Sequence, residues 1–117
     1  MKFSLTTLYV KDMEKSLEFY NTLIGLPIVR RQVIGEDKEL VFLGDGDTLL
    51  ELIPSDGNVQ YAGFSIGFDV DDLLEAKERL ENNGYKIKRE MSPNSSLTLC
   101  FLDGPNGEEV ELLEYKH

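Results

Sequence analysis

The sequence contains no tryptophan, one cysteine, one histidine and four prolines in 117 residues. A lone cysteine, Cys100, excludes an intramolecular disulfide and a multi-thiolate zinc site. The one histidine, His117, is the last residue, so no internal imidazole is available to activate Cys100 as a nucleophile. Within the apolar run Leu97-Thr-Leu-Cys-Phe-Leu102 the thiol reads as a buried structural group. Positive charge is also scarce: 12 Lys and Arg stand against 22 Asp and Glu, a net charge of −10. That balance opposes phosphate backbones and anionic membrane surfaces, so neither nucleic acid nor membrane is expected as a partner. No apolar run approaches the roughly 20 residues that span a bilayer. The N-terminal stretch lacks the long apolar core and cleavage site of a signal peptide, so the expected location is the cytoplasm.

What is present is the composition of a folded chain, 41% hydrophobic and 29% charged, and an internal repeat. Phe3-Ser-Leu-Thr-Thr-Leu-Tyr-Val10-Lys-Asp12 lies over Phe64-Ser-Ile-Gly-Phe-Asp-Val70-Asp-Asp72 at an offset of 60 for most positions. The match continues from Gly25 to Gly84 and from Phe42-Leu43 to Phe101-Leu102. It closes where Leu50-Glu51-Leu52 meets Val110-Glu111-Leu112. A repeat spanning nearly the whole chain predicts one domain of two similar modules, 1–56 and 64–117, joined by a glycine-flanked linker at 57–63.

Each module reads as βαβββ. Aromatic and β-branched runs predict strands at 3–10, 27–34, 39–43 and 48–53, and again at 64–70, 85–90, 97–102 and 109–115. Asp12 and Asp72 sit where helix N-caps belong, the second with Glu75 in capping-box spacing. Gly25 and Gly84 sit where the helices should stop. Met13, Leu17, Tyr20 and Ile24 give the first helix an apolar stripe; Leu73, Ala76 and Leu80 do so for the second. Phe19 and Tyr20 read as packing residues.

Strand alternation divides the sheet residues into two faces. Leu8, Val10, Leu50, Leu52, Phe68, Val70, Val110 and Leu112 form sets suited to packing under the helices. Leu5, Thr7, Tyr9, Leu49, Glu51, Ile53, Ser65, Gly67, Asp69, Glu109, Glu111, Leu113 and Tyr115 face the other way, a mixed surface suited to a ligand. Because 60 is even, equivalent residues share a face.

The residues Val10, Asp12, Ser16, Leu17, Phe19, Tyr20 and Gly25-Leu26, with Asp103, Pro105, Asn106, Gly107 and Glu111-Leu112, form a pattern. It resembles the vicinal oxygen chelate superfamily, which includes glyoxalase I, bleomycin-resistance proteins and extradiol dioxygenases. The resemblance implies an α+β fold in which tandem βαβββ modules form an open, curved, mixed sheet around a cup, with helices on the outer face. It also implies a homodimer. Metal-using members build their site from one position on each module's first strand and one on its last, here Leu5, Glu51, Ser65 and Glu111. The first-strand positions usually hold histidine or another ligating side chain. In this chain they hold leucine and serine, so a tight nickel or zinc centre is not expected, and any divalent metal would be held weakly by Glu51 and Glu111. Tyr9 and Ser55 fall where a glutathione-using relative places an arginine and an asparagine.

The expected function is therefore binding of a small molecule in the cup by a glyoxalase-like protein with a degenerate metal site and no resident cofactor. Glu51 and Glu111 are the candidate acid and base. Leu5, Thr7, Tyr9, Ile53, Ser65, Asp69, Glu109, Leu113 and Tyr115 are the candidate ligand contacts. Two other readings stay open at this stage: a lyase or isomerase of the lactoylglutathione lyase type acting through the two glutamates, with or without metal, and an antibiotic-sequestering protein. In the second, Glu51, Asp69, Glu109 and Glu111 would attract a cation to the aromatic surface of Tyr9, Tyr61 and Tyr115. Arg30, Arg31, Lys88 and Arg89 form matched basic pairs on the second strands, suited either to an anionic tail or to blunting edge strands.

Overall fold

A computed structural model describes residues 1–116, and the chain divides into two compact units, 1–59 and from Gln60 onward. Both are α+β. The first contains β1 (Leu5–Val10), α1 (Met13–Leu17), a π-helical segment (Glu18–Leu23), β2 (Ile28–Val33), β3 (Glu39–Leu43) and β4 (Leu49–Pro54). The second contains β5 (Ser65–Asp69), α2 (Leu73–Asn82), β6 (Ile87–Asn94), β7 (Leu97–Asp103) and β8 (Glu109–Tyr115). Each unit folds a four-stranded mixed sheet, in the orders β1-β4-β3-β2 and β5-β8-β7-β6. First and last strands pair parallel; the remaining pairs are antiparallel. Among the described residues no helix is long and apolar enough to cross a membrane.

The helices start and stop where the sequence indicates. Asp12 and Asp72 adopt extended backbone, and their carboxylates accept the N–H groups of Lys15 and Glu75, both at 3.1 Å. Glu75 turns its own carboxylate to Arg79 one turn on, so the expected capping box is only half made. The free N–H of Leu73 is met instead by Glu114 of β8 at 3.0 Å. Gly25 and Gly84 close the helices at φ of 89° and 90°, a conformation glycine reaches without a Cβ clash.

The expected stripe on the first helix needs correction. Ser16, Phe19, Tyr20 and Leu23 are the buried residues, while Met13, Leu17 and Ile24 are half-buried. Phe19 and Tyr20, both fully buried, meet edge to face with centroids 4.8 Å apart. Burying these two large rings together sets the rotation of the helix about its axis. The helix also widens there: Ile24 N–H reaches back five residues to Phe19 at 2.8 Å, and Leu26 N–H six residues to Tyr20 at 2.9 Å. In the second module the stripe falls as the spacing predicts, with Leu73, Ala76 and Leu80 buried.

Leu8, Val10, Val41, Leu43, Leu50 and Leu52 form the apolar face in the first module, and Cys100, Leu102, Val110 and Leu112 in the second. Complete burial of each large aliphatic side chain stabilises the fold by roughly 1.5–3 kcal/mol. Phe68 and Val70, assigned to the same face, are half-buried.

Candidate functional site

Strand register assembles a row of four residues across each sheet, on the face away from the buried aliphatic set. In the first module Thr7 pairs with Glu51, Glu51 with Phe42, and Phe42 with Arg30. In the second, Gly67 pairs with Glu111, Glu111 with Phe101, and Phe101 with Arg89. Glu51 and Glu111 are both half-buried. The Thr7 hydroxyl donates to Glu51 Oε1 at 2.8 Å, whereas Glu111 takes a longer bond, 3.4 Å, from Ser65. Glycine replaces threonine at 67, so the hydroxyl partner shifts one row, and the repeated glutamates are restrained differently.

The other predicted contacts lie around these rows. Leu5, 41% exposed, pairs with Leu49 at the head of β1 and β4. Tyr9, 51% exposed, pairs with half-buried Ile53 one row beyond Glu51. In the second module Ser65 pairs with Glu109, and exposed Asp69 with Leu113. Tyr115 pairs with Leu97 at the far end of β8. Its four-residue separation from Glu111 corresponds to about 13 Å of strand, which removes it from the immediate surroundings of that carboxylate. His117 lies outside the described residues.

A cleft of about 400 Å³ opens in the second module between Tyr61 to Ser65, Lys88, Asp103, Gly107 and Glu109. The rings of Tyr61 and Phe64 meet edge to face at 5.9 Å. Lys88 bridges Asp103 at 2.9 Å and Glu109 at 3.5 Å, and the Asp103 hydrogen bond foremost raises its pKa above the ordinary lysine value. Glu109 is thus committed to an ion pair as well as lining the cleft.

Sequence reasoning did not separate the four basic residues of the second strands. Ile28 pairs with Leu43 and Arg30 with Phe42, a one-residue bulge that recurs where Ile87 pairs with Leu102 and Arg89 with Phe101. Residues two apart normally share a face; the bulge keeps each isoleucine with the core and turns the arginine to the other side. Arg31 then pairs with Glu39 at 2.6 Å. The closing turn holds a second unforeseen feature. Glu108 is fully buried and accepts Asn106 N–H at 2.7 Å and Asn106 Nδ2 at 3.1 Å. A polar residue in a glycine-rich turn signals exposure, and only the need of that turn for an internal acceptor points the other way.

Residues 2–112 match the profile of the Glyoxalase/Bleomycin resistance protein/Dioxygenase superfamily. A lactoylglutathione lyase of Neisseria meningitidis serogroup A is 33% identical over 127 aligned positions, covering 99% of this chain and 92% of the relative. Among solved structures, the trypanothione-dependent glyoxalase I of Leishmania major superposes with a TM-score of 0.79 at 28% identity. That match covers 97% of this chain and 86% of that one. An antibiotic-binding protein from Streptomyces sp. CB03234 shares the fold at a TM-score of 0.76 and 18% identity, covering 99% and 97% of the two chains.

Proposed function

This chain belongs to the Glyoxalase/Bleomycin resistance protein/Dioxygenase superfamily, and from that premise we propose that it binds a small organic molecule against the sheet faces bearing Glu51 and Glu111, without a tight transition-metal centre. The observation carrying this reading is that each glutamate stands beside a hydroxyl rather than a ligating imidazole. Glu51 is held by Thr7 and Glu111 by Ser65, while Leu5 offers only carbon. Nickel and zinc sites draw on nitrogen, sulfur or several carboxylates, and this donor set does not fit them. A weakly held magnesium or manganese ion, largely coordinated by water, is the most that one carboxylate per module supports.

The test is titration of Mn²⁺, Ni²⁺ and Zn²⁺ into the dialysed wild type and the Glu51→Gln, Glu111→Gln double variant. Weak or no binding in both is expected. Stoichiometric binding that disappears in the variant would overturn the metal-free reading.

A second reading has its own support: catalysis of a lyase or isomerase reaction by the two carboxylates. Relatives 33% identical along almost the whole chain are lactoylglutathione lyases. The Thr7 bond fixes one oxygen of Glu51 and leaves the other to exchange a proton with a substrate. Under this reading the single Glu→Gln variants fold but lose turnover. A ligand bound tightly and released unchanged instead marks sequestration, the role suited to a cation drawn by Asp69, Glu109 and the two glutamates. The same proposal makes the protein a cytoplasmic homodimer; an unpaired cysteine suits a reducing compartment.

A further inference from the structure

The cations of the second strands are not equivalent. Arg31 is occupied by Glu39, and Lys88 by Asp103 and Glu109. Arg30 and Arg89 sit over rings instead, their guanidinium carbons 4.3 Å from the Phe42 centroid and 4.4 Å from the Phe101 centroid. Among the described residues neither has a carboxylate partner within ion-pair reach. The same bulge, the same ring and the same neighbouring glutamate accompany both arginines.

Stacking on a ring leaves the N–H edge of a guanidinium open, and that planar edge matches the two oxygens of a carboxylate or phosphate. The ring also confines the side chain before a ligand arrives, which lowers the ordering cost of binding. Phe42 and Phe101 are only 6% and 9% exposed although they face away from the buried aliphatic set, as expected for rings covered by their arginines. One strand further, about 4.8 Å on, stands the glutamate of the row.

We propose that each module carries an anion seat, Arg30 on Phe42 and Arg89 on Phe101, for the carboxylate or phosphate of a ligand whose hydrogen-bond donor meets Glu51 or Glu111. This deepens the binding reading above by naming the ligand's charged group. The seats themselves do not depend on whether metal binds. A net charge of −10 works against indiscriminate anion capture, so saturation at these two side chains is a specific response.

The arginine Nε–H resonances of ¹⁵N-labelled protein, followed at constant ionic strength during addition of phenyl phosphate, benzoate or inorganic phosphate, provide the test. The Arg30 and Arg89 signals should shift and saturate while Arg31 stays in place. Arg30→Gln should abolish the response of the first seat and spare the second. Phe42→Leu should weaken the first seat about two- to five-fold, the value of a lost cation–π contact. No saturable shift at either arginine, or equal movement of Arg31, would overturn the proposal. A response to inorganic phosphate without one to either organic anion would also overturn it, marking an adventitious ion only. Saturation in a protein that also binds Ni²⁺ tightly through Glu51 and Glu111 would instead leave the seats standing and sink the metal-free reading.

Discussion

Burial takes the Cys100 thiol out of water and pushes its pKa from 9.0 up to about 11, against the opposing pull of Lys77. The fold therefore favours the neutral thiol, whereas the unfolded chain ionises first. The resulting stabilisation is fully present below pH 9 and is lost as pH rises through about 11. Unfolding free energies from urea titrations should fall across that window, and fall less in Cys100→Ala; parallel declines in the two proteins would remove Cys100 as the cause. The buried thiol was legible from its apolar neighbours. Strand alternation also assigned the face of Glu51 and Glu111. The hydroxyl partners were not legible, because Thr7 meets Glu51 only through the register of two parallel strands 44 residues apart.

At the level of elements, the caps followed from local chemistry: Asp12, Asp72, Gly25 and Gly84 each serve the helix end their residue type suggests. The bulges in β2 and β6 did not, since periodicity counts residues and cannot register one that drops out of the hydrogen-bonded ladder. The β7–β8 turn escaped for a similar reason. Its carboxylate folds inward, and an added Cβ at Gly104 would lie 2.7 Å from Glu108 Cδ, so glycine and glutamate are matched there. Glu108→Ala should lower stability by about 1–3 kcal/mol by stranding the Asn106 donors. An unchanged urea midpoint would show that water replaces the carboxylate without loss.

For the molecule as a whole, the tandem organisation was legible because the repeat covers nearly the whole chain, and its even offset of 60 in the first and last strands of each module preserves the faces of their residues. The chemistry is less legible, because the repeat has diverged where it matters: leucine stands against serine at 5 and 65, threonine against glycine at 7 and 67. Association belongs to this scale too. Sedimentation equilibrium should return twice the mass of one chain for the proposed homodimer, and a single-chain mass throughout the micromolar range would overturn it.

The single buried cysteine also makes the protein a convenient host for spectroscopic labels. With Cys100 fully covered and its thiolate disfavoured at neutral pH, a cysteine introduced at an exposed site such as Glu14 or Glu81 becomes the fast-reacting thiol. One fluorophore or spin label on each module can then be attached without first removing a native residue, making distances between the two halves accessible to resonance measurements in solution.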